Sequence, residues 1–228
     1  MAVKYPDTPL GRLALTLQLT WHYLLILVAL AVLFYFLLPP LAALPVLLAG
    51  FVMFFFRNPK REVPAGSGEV LSPADGVVIE AGEVFEDKFL RSEAKRIRIF
   101  LSILNVHFNR SPVEGKVAYR LYCPGRHLAA NAKGACDVNE KNYIGIEGRG
   151  HKVLVCQVAG LIARRIKCWV KEGEKVKKGE IIGIIKFGSG TEVYLPAGAR
   201  LLVKKGDRVA AGKTVVAVLP DFDQKGEG

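Results

Sequence analysis

The sequence predicts a mainly β domain, built from many short strands, behind an N-terminal helical hairpin that sits in a membrane. Three observations carry this expectation. Residues 24–56 contain no charged side chain, whereas the chain from Arg57 onward has the composition of an ordinary water-soluble domain. That later part breaks into short β-prone runs punctuated by Gly, Pro and Asp. One pattern in it, beginning at Val170, recurs from Val203. A chain of 228 residues accommodates one such domain and a membrane segment, but not two large domains.

The membrane part comes first. Trp21 to Leu38 is apolar apart from His22, Pro39-Pro40 interrupts it, and Leu41 to Phe56 is apolar again. Each run approaches the length needed to cross a ~30 Å hydrocarbon core, the second marginally. The expected layout is an N-terminal cytoplasmic segment over 1–20, a membrane helical hairpin over 21–56 and a single domain over 57–228. Lys4 and Arg12 precede the hairpin, and Arg57, Lys60 and Arg61 follow it. The positive-inside tendency then puts both ends in the cytoplasm, a shallow re-entrant hairpin being the alternative. A cleaved signal peptide fits poorly, because the apolar stretch starts late and runs double length. The formal net charge of +11 asks for an acidic partner. Beside a membrane segment that partner is a lipid headgroup rather than nucleic acid. Cys123, Cys136, Cys156 and Cys168 form no C-x-x-C pair, so they read as reduced thiols and no metal site is expected.

In the β part, runs are expected at 70–71, 77–79, 96–101, 117–122, 153–158, 165–170, 181–186, 192–195, 201–203 and 214–218, with a helical turn possible only near 157–165. The repeat reads Val170-Lys-Glu-Gly173-Glu-Lys-Val176-Lys-Lys-Gly179 and Val203-Lys-Lys-Gly206-Asp-Arg-Val209-Ala-Ala-Gly212. Each copy supplies a charged turn, one inward Val and a Gly that permits the next bend. It resembles the turn of biotinyl and lipoyl carrier domains, which implies a barrel-sandwich-hybrid-like β domain. Those carriers hold a modified lysine at the hairpin tip between the repeats. Here that position is Ser189, so the scaffold is carrier-like but the displayed group differs.

The tip reads Lys186-Phe187-Gly188-Ser189-Gly190-Thr191. With it go Ser72-Pro73-Ala74-Asp75-Gly76, Phe100 to Pro112 with Asn105, His107, Asn109 and Arg110, then Asn139-Glu140-Lys-Asn142, and Gln157 to Arg165. In that order these pieces resemble the phosphatidylserine decarboxylase proenzyme family, over roughly residues 57–220 and in its short, single-domain branch. The resemblance implies self-cleavage between Gly188 and Ser189 into 1–188 and 189–228. It also implies a covalent pyruvoyl group made from Ser189 as the only cofactor. Gly188, bare of a side chain, leaves its carbonyl open to approach by the Ser189 hydroxyl. The ketone then serves as the electron sink when a serine-headgroup phospholipid loses its carboxylate.

The family motif also implies His107 as the base, with Asp75 as the aspartate that orients or charges it, giving a Ser189–His107–Asp75 relay. Longer members carry a second histidine where this chain has Arg110. Arg110, Arg164, Arg165, Asn139 and Glu140 are the expected substrate-binding residues, an arginine being suited to the lipid phosphate or carboxylate. His127 reads as a residue of a polar loop, and His151 as an exposed residue following the Gly148-Arg-Gly150 turn. The implied partners are the serine phospholipid, the membrane, and the two cleavage fragments held together as a heterodimer, with assembly into a higher oligomer left open. The implied location is the cell membrane, with the catalytic domain on its cytoplasmic face. The alternative is a non-enzymatic, membrane-anchored barrel-sandwich adaptor resembling membrane-fusion proteins. It accounts for the repeat and the anchor but not for His107, Asp75 or Gly188-Ser189.

Overall fold

The computed structural model describes residues 8–66, 68–125, 139–160, 166–186 and 189–220. The chain divides into two compact units, one ending at Lys60 and the other beginning at Arg61.

In the first unit, helix α1 runs from Pro9 to Leu37. It starts twelve residues before the expected Trp21, because the start signals lie there. The Thr8 hydroxyl accepts from the Gly11 N–H at 3.1 Å, and proline occupies the first helical position. Thr16, Gln18 and Thr20 thin the hydropathy of this first stretch and hide it from an apolar scan. Pro39 and Pro40 break the helix into a 3₁₀ turn, Pro39–Ala42, and α2 follows over Ala43–Phe55. The two helices are unequal. At about 1.5 Å per residue α1 is long enough to cross a hydrocarbon core, whereas α2 is shorter than that thickness. Thr16 and Thr20 turn their hydroxyls onto carbonyls of Phe56 and Thr16, both at 2.9 Å, so neither hydroxyl is left idle inside the unit. Leu25, Ile26, Phe36 and Leu47 remain more than half exposed.

The second unit is mainly β. Its strands among the described residues are β1 (Glu69–Leu71), β2 (Gly76–Glu86), β3 (Ser92–Leu101), β4 (Phe108–Arg110), β5 (Gly115–Cys123), β6 (Lys141–Gly148), β7 (His151–Ala159), β8 (Ile166–Cys168), β9 (Lys175–Val176), β10 (Ile181–Ile185), β11 (Ser189–Pro196), β12 (Arg200–Leu201), β13 (Arg208–Val209) and β14 (Val215–Val218). Residues 157–159 continue β7, so the helical turn considered there does not form at them; 161–165 lie outside the described residues. The sequence hid β6, because Gly145 and Gly148 dilute its pattern. Gly145 is small for a reason: a Cβ there would stand 2.8 Å from the ring of Phe89.

The strands form one eight-stranded antiparallel sheet, β13-β2-β3-β11-β7-β6-β5-β9, and two three-stranded sheets, β4-β10-β8 and β1-β14-β12. The order is palindromic about the β11–β7 pair, and the hydrogen bonds repeat accordingly. Gly173 N–H donates to Val117 O and Gly206 N–H to Val78 O; Gly179 N–H donates to Ser111 O and Gly212 N–H to Ser72 O. The turn repeat therefore has a second half, which the sequence analysis passed over: Ser72-Pro-Ala-Asp-Gly-Val-Val78 corresponds to Ser111-Pro-Val-Glu-Gly-Lys-Val117. Ser72 and Ser111 both bond back to the carbonyl two residues on, at 2.7 and 2.6 Å. Two cores match the two halves, one around Val78, Ile97, Ile99 and Val193, the other around Val117, Ile144, Ile146 and Ile182.

The motif glycines let strand backbones meet. A Cβ on Gly76 would lie 2.1 Å from the Phe100 carbonyl oxygen, and one on Gly115 2.4 Å from that of Glu147. Gly76→Ala forces β2 away from β3 and is expected to cost about 3 kcal/mol or more. Thermal denaturation in detergent would show it as a lowered Tm beside wild type.

The outer face of β2, β3 and β11 carries a chain of charges. Glu80 accepts from Arg96 and, at 2.8 Å, from Arg98; Arg98 also reaches the buried Glu192 at 3.1 Å, and Tyr194 donates to Glu192 at 2.6 Å. Burial pushes the Glu80 carboxyl up, but the hydrogen bonds and charges of the two arginines outweigh it and hold it below the ordinary glutamate range. A depressed folded-state value gives stability that is present above the unfolded value and lost as pH falls through the folded one. Glu80→Gln is therefore expected to flatten the acid limb of the stability–pH curve and leave its slope above the ordinary glutamate range unchanged.

Candidate active site

The ladder fixes where Ser189 stands. It opens β11 and pairs with Leu101 of β3 on one side and Ala159 of β7 on the other. The preceding arm of its hairpin is β10, which ends at Ile185. Gly188, Arg164, Arg165 and His127 lie outside the described residues, as does the side chain of Ser189.

The loop bearing His107 is tied at its two ends to the two arms of that hairpin. That loop, 102–107, begins immediately after Leu101, the ladder partner of Ser189. It ends where the His107 carbonyl accepts from the Ile185 N–H at 3.2 Å. The histidine is fully buried, and its Nδ1 lies 2.9 Å from the Asn105 carbonyl. A carbonyl only accepts, so Nδ1 carries a proton in this contact, and the neutral form of the ring has its basic lone pair at Nε2. The orienting contact expected from Asp75 is thus made at Nδ1 by a backbone carbonyl two residues away.

Asp75 is engaged elsewhere. Its carboxylate takes both Arg61 contacts, at 2.9 and 2.7 Å, and the Ala211 N–H at 2.7 Å. It clasps the 72–76 turn to the second repeat. That turn in turn holds the histidine strand, since Pro73 O accepts from Arg110 N at 2.9 Å. Glu114, the counterpart of Asp75 in the other half, pairs instead with the exposed Arg149.

Arg110 is buried and donates to the Gly179 carbonyl at 2.9 Å. A Cβ on Gly212 would sit 2.8 Å from its Cδ, so the side chain is packed between the glycines that close the two repeats. Asn139 and Glu140 meet the site through Ala159. Asn139 Nδ2 donates to Ala159 O at 2.8 Å, and Glu140 O accepts from Ala159 N at 2.9 Å. Both are buried, and the Glu140 carboxylate also accepts from Ile166 N at 3.3 Å.

Four further residues join the site, all of them inside the motifs quoted above but none among the expected substrate-binding residues. Asn142 donates to Gln157 at 2.8 Å, Gln157 to Asn109 at 2.8 Å, and Asn109 to Thr191 at 2.9 Å, all essentially inaccessible to water. This amide chain runs beneath the sheet to a residue two positions after Ser189. Buried amides are costly unless satisfied, so such a chain locks its strands in one register. Gly183 makes room for it, a Cβ there being 2.8 Å from Gln157 Nε2. The available signal was a polar residue in the middle of an apolar run, in Val-Cys-Gln-Val. Cys123, Cys156 and Cys168 form no disulfide among the described residues; Cys136 lies outside them.

A family model described as phosphatidylserine decarboxylase matches residues 48–217. A phosphatidylserine decarboxylase proenzyme of Symbiobacterium thermophilum is 50% identical over 201 residues, covering 88% of this chain and 94% of that protein. Proteins of the same name from Carboxydothermus hydrogenoformans and Geotalea uraniireducens are 51% and 47% identical over 177 and 181 residues, covering 77% and 79% of this chain and 83% and 84% of their own. Likeness of this extent does not favour the non-enzymatic adaptor.

Proposed function

The chain belongs to the phosphatidylserine decarboxylase family, and we propose that it decarboxylates a serine-headgroup phospholipid at a membrane through a pyruvoyl group made from its own Ser189. The substrate is phosphatidylserine, yielding phosphatidylethanolamine, or the ether-lipid equivalent with the same headgroup. One observation carries the reading: the loop bearing His107 leaves from the residue opposite Ser189 and returns to the other arm of the same hairpin.

The chain's own chemistry comes first. His107 Nε2 takes the Ser189 hydroxyl proton as Oγ attacks the Gly188 carbonyl carbon. The C–N bond breaks, the Ser189 nitrogen leaves protonated, and an ester replaces the amide. Loss of the Ser189 α-proton expels the Gly188 carboxylate from Cβ and leaves dehydroalanine. Water then replaces its nitrogen, released as ammonia, and a ketone remains at the head of 189–228. Asp75 acts as a positioning residue in this scheme, by clamping Arg61, Ala211 and the turn that holds the strand following His107.

The fold suits such a terminus. Bonds to β3 and β7 run along β11 from Ser189 on, so a cut before it leaves the 189–228 fragment gripped on both sides as the partner of 1–188. Leu101 and Ala159 would hold the group, with Asn139 and Glu140 fixing Ala159. When bound, the group supplies an electron sink for the departing carboxylate. Arg164 and Arg165 are assigned the anionic headgroup, and Arg110 secures the repeats behind it. The unit containing α1 anchors the enzyme, with the β unit on the cytoplasmic face.

The test is reductive trapping. Wild type incubated with serine-lipid vesicles and cyanoborohydride should gain the mass of the substrate amine on the 189–228 fragment, and should form the ethanolamine lipid when the reductant is omitted. A smaller fragment that begins with an ordinary serine amine and gains no mass would overturn the reading.

A further inference from the structure

The turn before His107 has a feature that the reaction chemistry does not need. Asn105 N–H donates to the Ser102 carbonyl at 3.0 Å, and Asn105 Oδ1 accepts from Ser102 N at 2.9 Å and from Ser102 Oγ at 2.8 Å. The turn is stapled shut, so its two central residues are held outward. Those residues are Ile103 and Leu104, 44% and 60% exposed. Central turn positions ordinarily hold Gly, Pro, Asn, Asp or Ser, and aliphatic side chains fixed in water are unfavourable. Val106, two positions on, is buried, so among the described residues of this loop the apolar exposure is confined to the tip.

Two basic residues stand close in the sheet register to the histidine that ends this loop. Lys186 follows Ile185, whose N–H holds the His107 carbonyl, and the exposed Lys167 pairs with Ile184 one step earlier on β10. An apolar tip with cations behind it is the order of polarity met on entering an anionic bilayer. A two-residue tip is far too small for a stable protein interface, which needs roughly 800 Å² from each partner.

We propose that the Ser102–Asn105 turn inserts into the bilayer surface, with Ile103 and Leu104 among the acyl chains and Lys167 and Lys186 against anionic headgroups. This rests on the site being one for a serine lipid. Asn105 both staples the turn and holds Nδ1 of His107, so seating the turn sets the depth of the histidine relative to the headgroup carboxylate.

Two measurements on the full chain test it. Ile103→Ser with Leu104→Ser should leave self-cleavage complete and lower turnover of phosphatidylserine in phosphatidylcholine vesicles about tenfold. Turnover of a short-chain, monomeric serine lipid should stay within about twofold of wild type. Equal loss on both substrates would overturn the insertion. Independently of any turnover, Leu104→Trp should show quenching by brominated acyl chains beyond that of the two native tryptophans. Absence of that excess, or an emission shift that follows protein concentration without lipid, would exclude bilayer insertion. Wild type inactive on both substrates would count against the enzyme reading, while the quenching result would still stand.

Discussion

Replacing Ser189 with alanine is expected to leave the protein as a single 25.0 kDa chain, where wild type separates under denaturing conditions into fragments cut after residue 188. The loss should be complete rather than graded. The bond to be broken belongs to an amide whose resonance makes it resistant, and the acyl shift needs an oxygen on the very next residue. Alanine supplies none. It should not disturb the fold, since Ser189 is held through backbone pairing with Leu101 and Ala159. A normal thermal transition in the uncut variant would confirm that. Ser189→Thr keeps a hydroxyl and should cleave slowly, while Ser189→Ala should produce neither the blocked amino terminus nor lipid turnover. Intact-mass analysis checks all of these, and a Ser189→Ala chain still cut after 188 would place the nucleophile elsewhere.

How far the sequence foretold this arrangement differs from residue to residue. The β class and the doubled turn were readable, because Gly-acid-basic-Val-x-x-Gly is local chemistry: φ is positive at Gly173, Gly179, Gly206 and Gly212 alike. The matching Ser-Pro-x-acid-Gly-x-Val pair lay in view, but it was split between two pieces of the family motif and so did not register as a repeat. Asp75 shows the cost of that. Read as part of a motif it pointed only to His107, whereas its position in the repeat ties it to Ala211, and Arg61 comes from a segment without regular structure. The Asn105 contact was not legible at all, since a backbone carbonyl leaves no mark in residue identity. The amide chain from Asn142 to Thr191 depends on strands far apart in sequence, and only the sheet register brings them together. The start of α1 was lost for the opposite reason: a short-range cap was outweighed by a long-range hydropathy signal.

The second large effect concerns His107. His107→Ala is expected to slow self-cleavage by about 10²- to 10⁴-fold, the range that a positioned general base contributes. It should appear as uncut chain accumulating after synthesis, followed over time by denaturing gel. Loss of a fully buried ring also leaves a cavity, so slower cleavage alone would not distinguish a base from a packing residue. Imidazole added to the variant provides the distinction: a small molecule with the same basic nitrogen can occupy the vacated space and restore part of the rate. Asp75→Asn provides the contrast. It keeps an oxygen for the Ala211 N–H but gives up the charge facing Arg61, so cleavage should slow without any response to imidazole. If Asp75→Asn were rescued by imidazole and His107→Ala were not, the base would have to be sought elsewhere in the hairpin's surroundings. The Asn105 carbonyl on Nδ1 would then be a structural bond and nothing more.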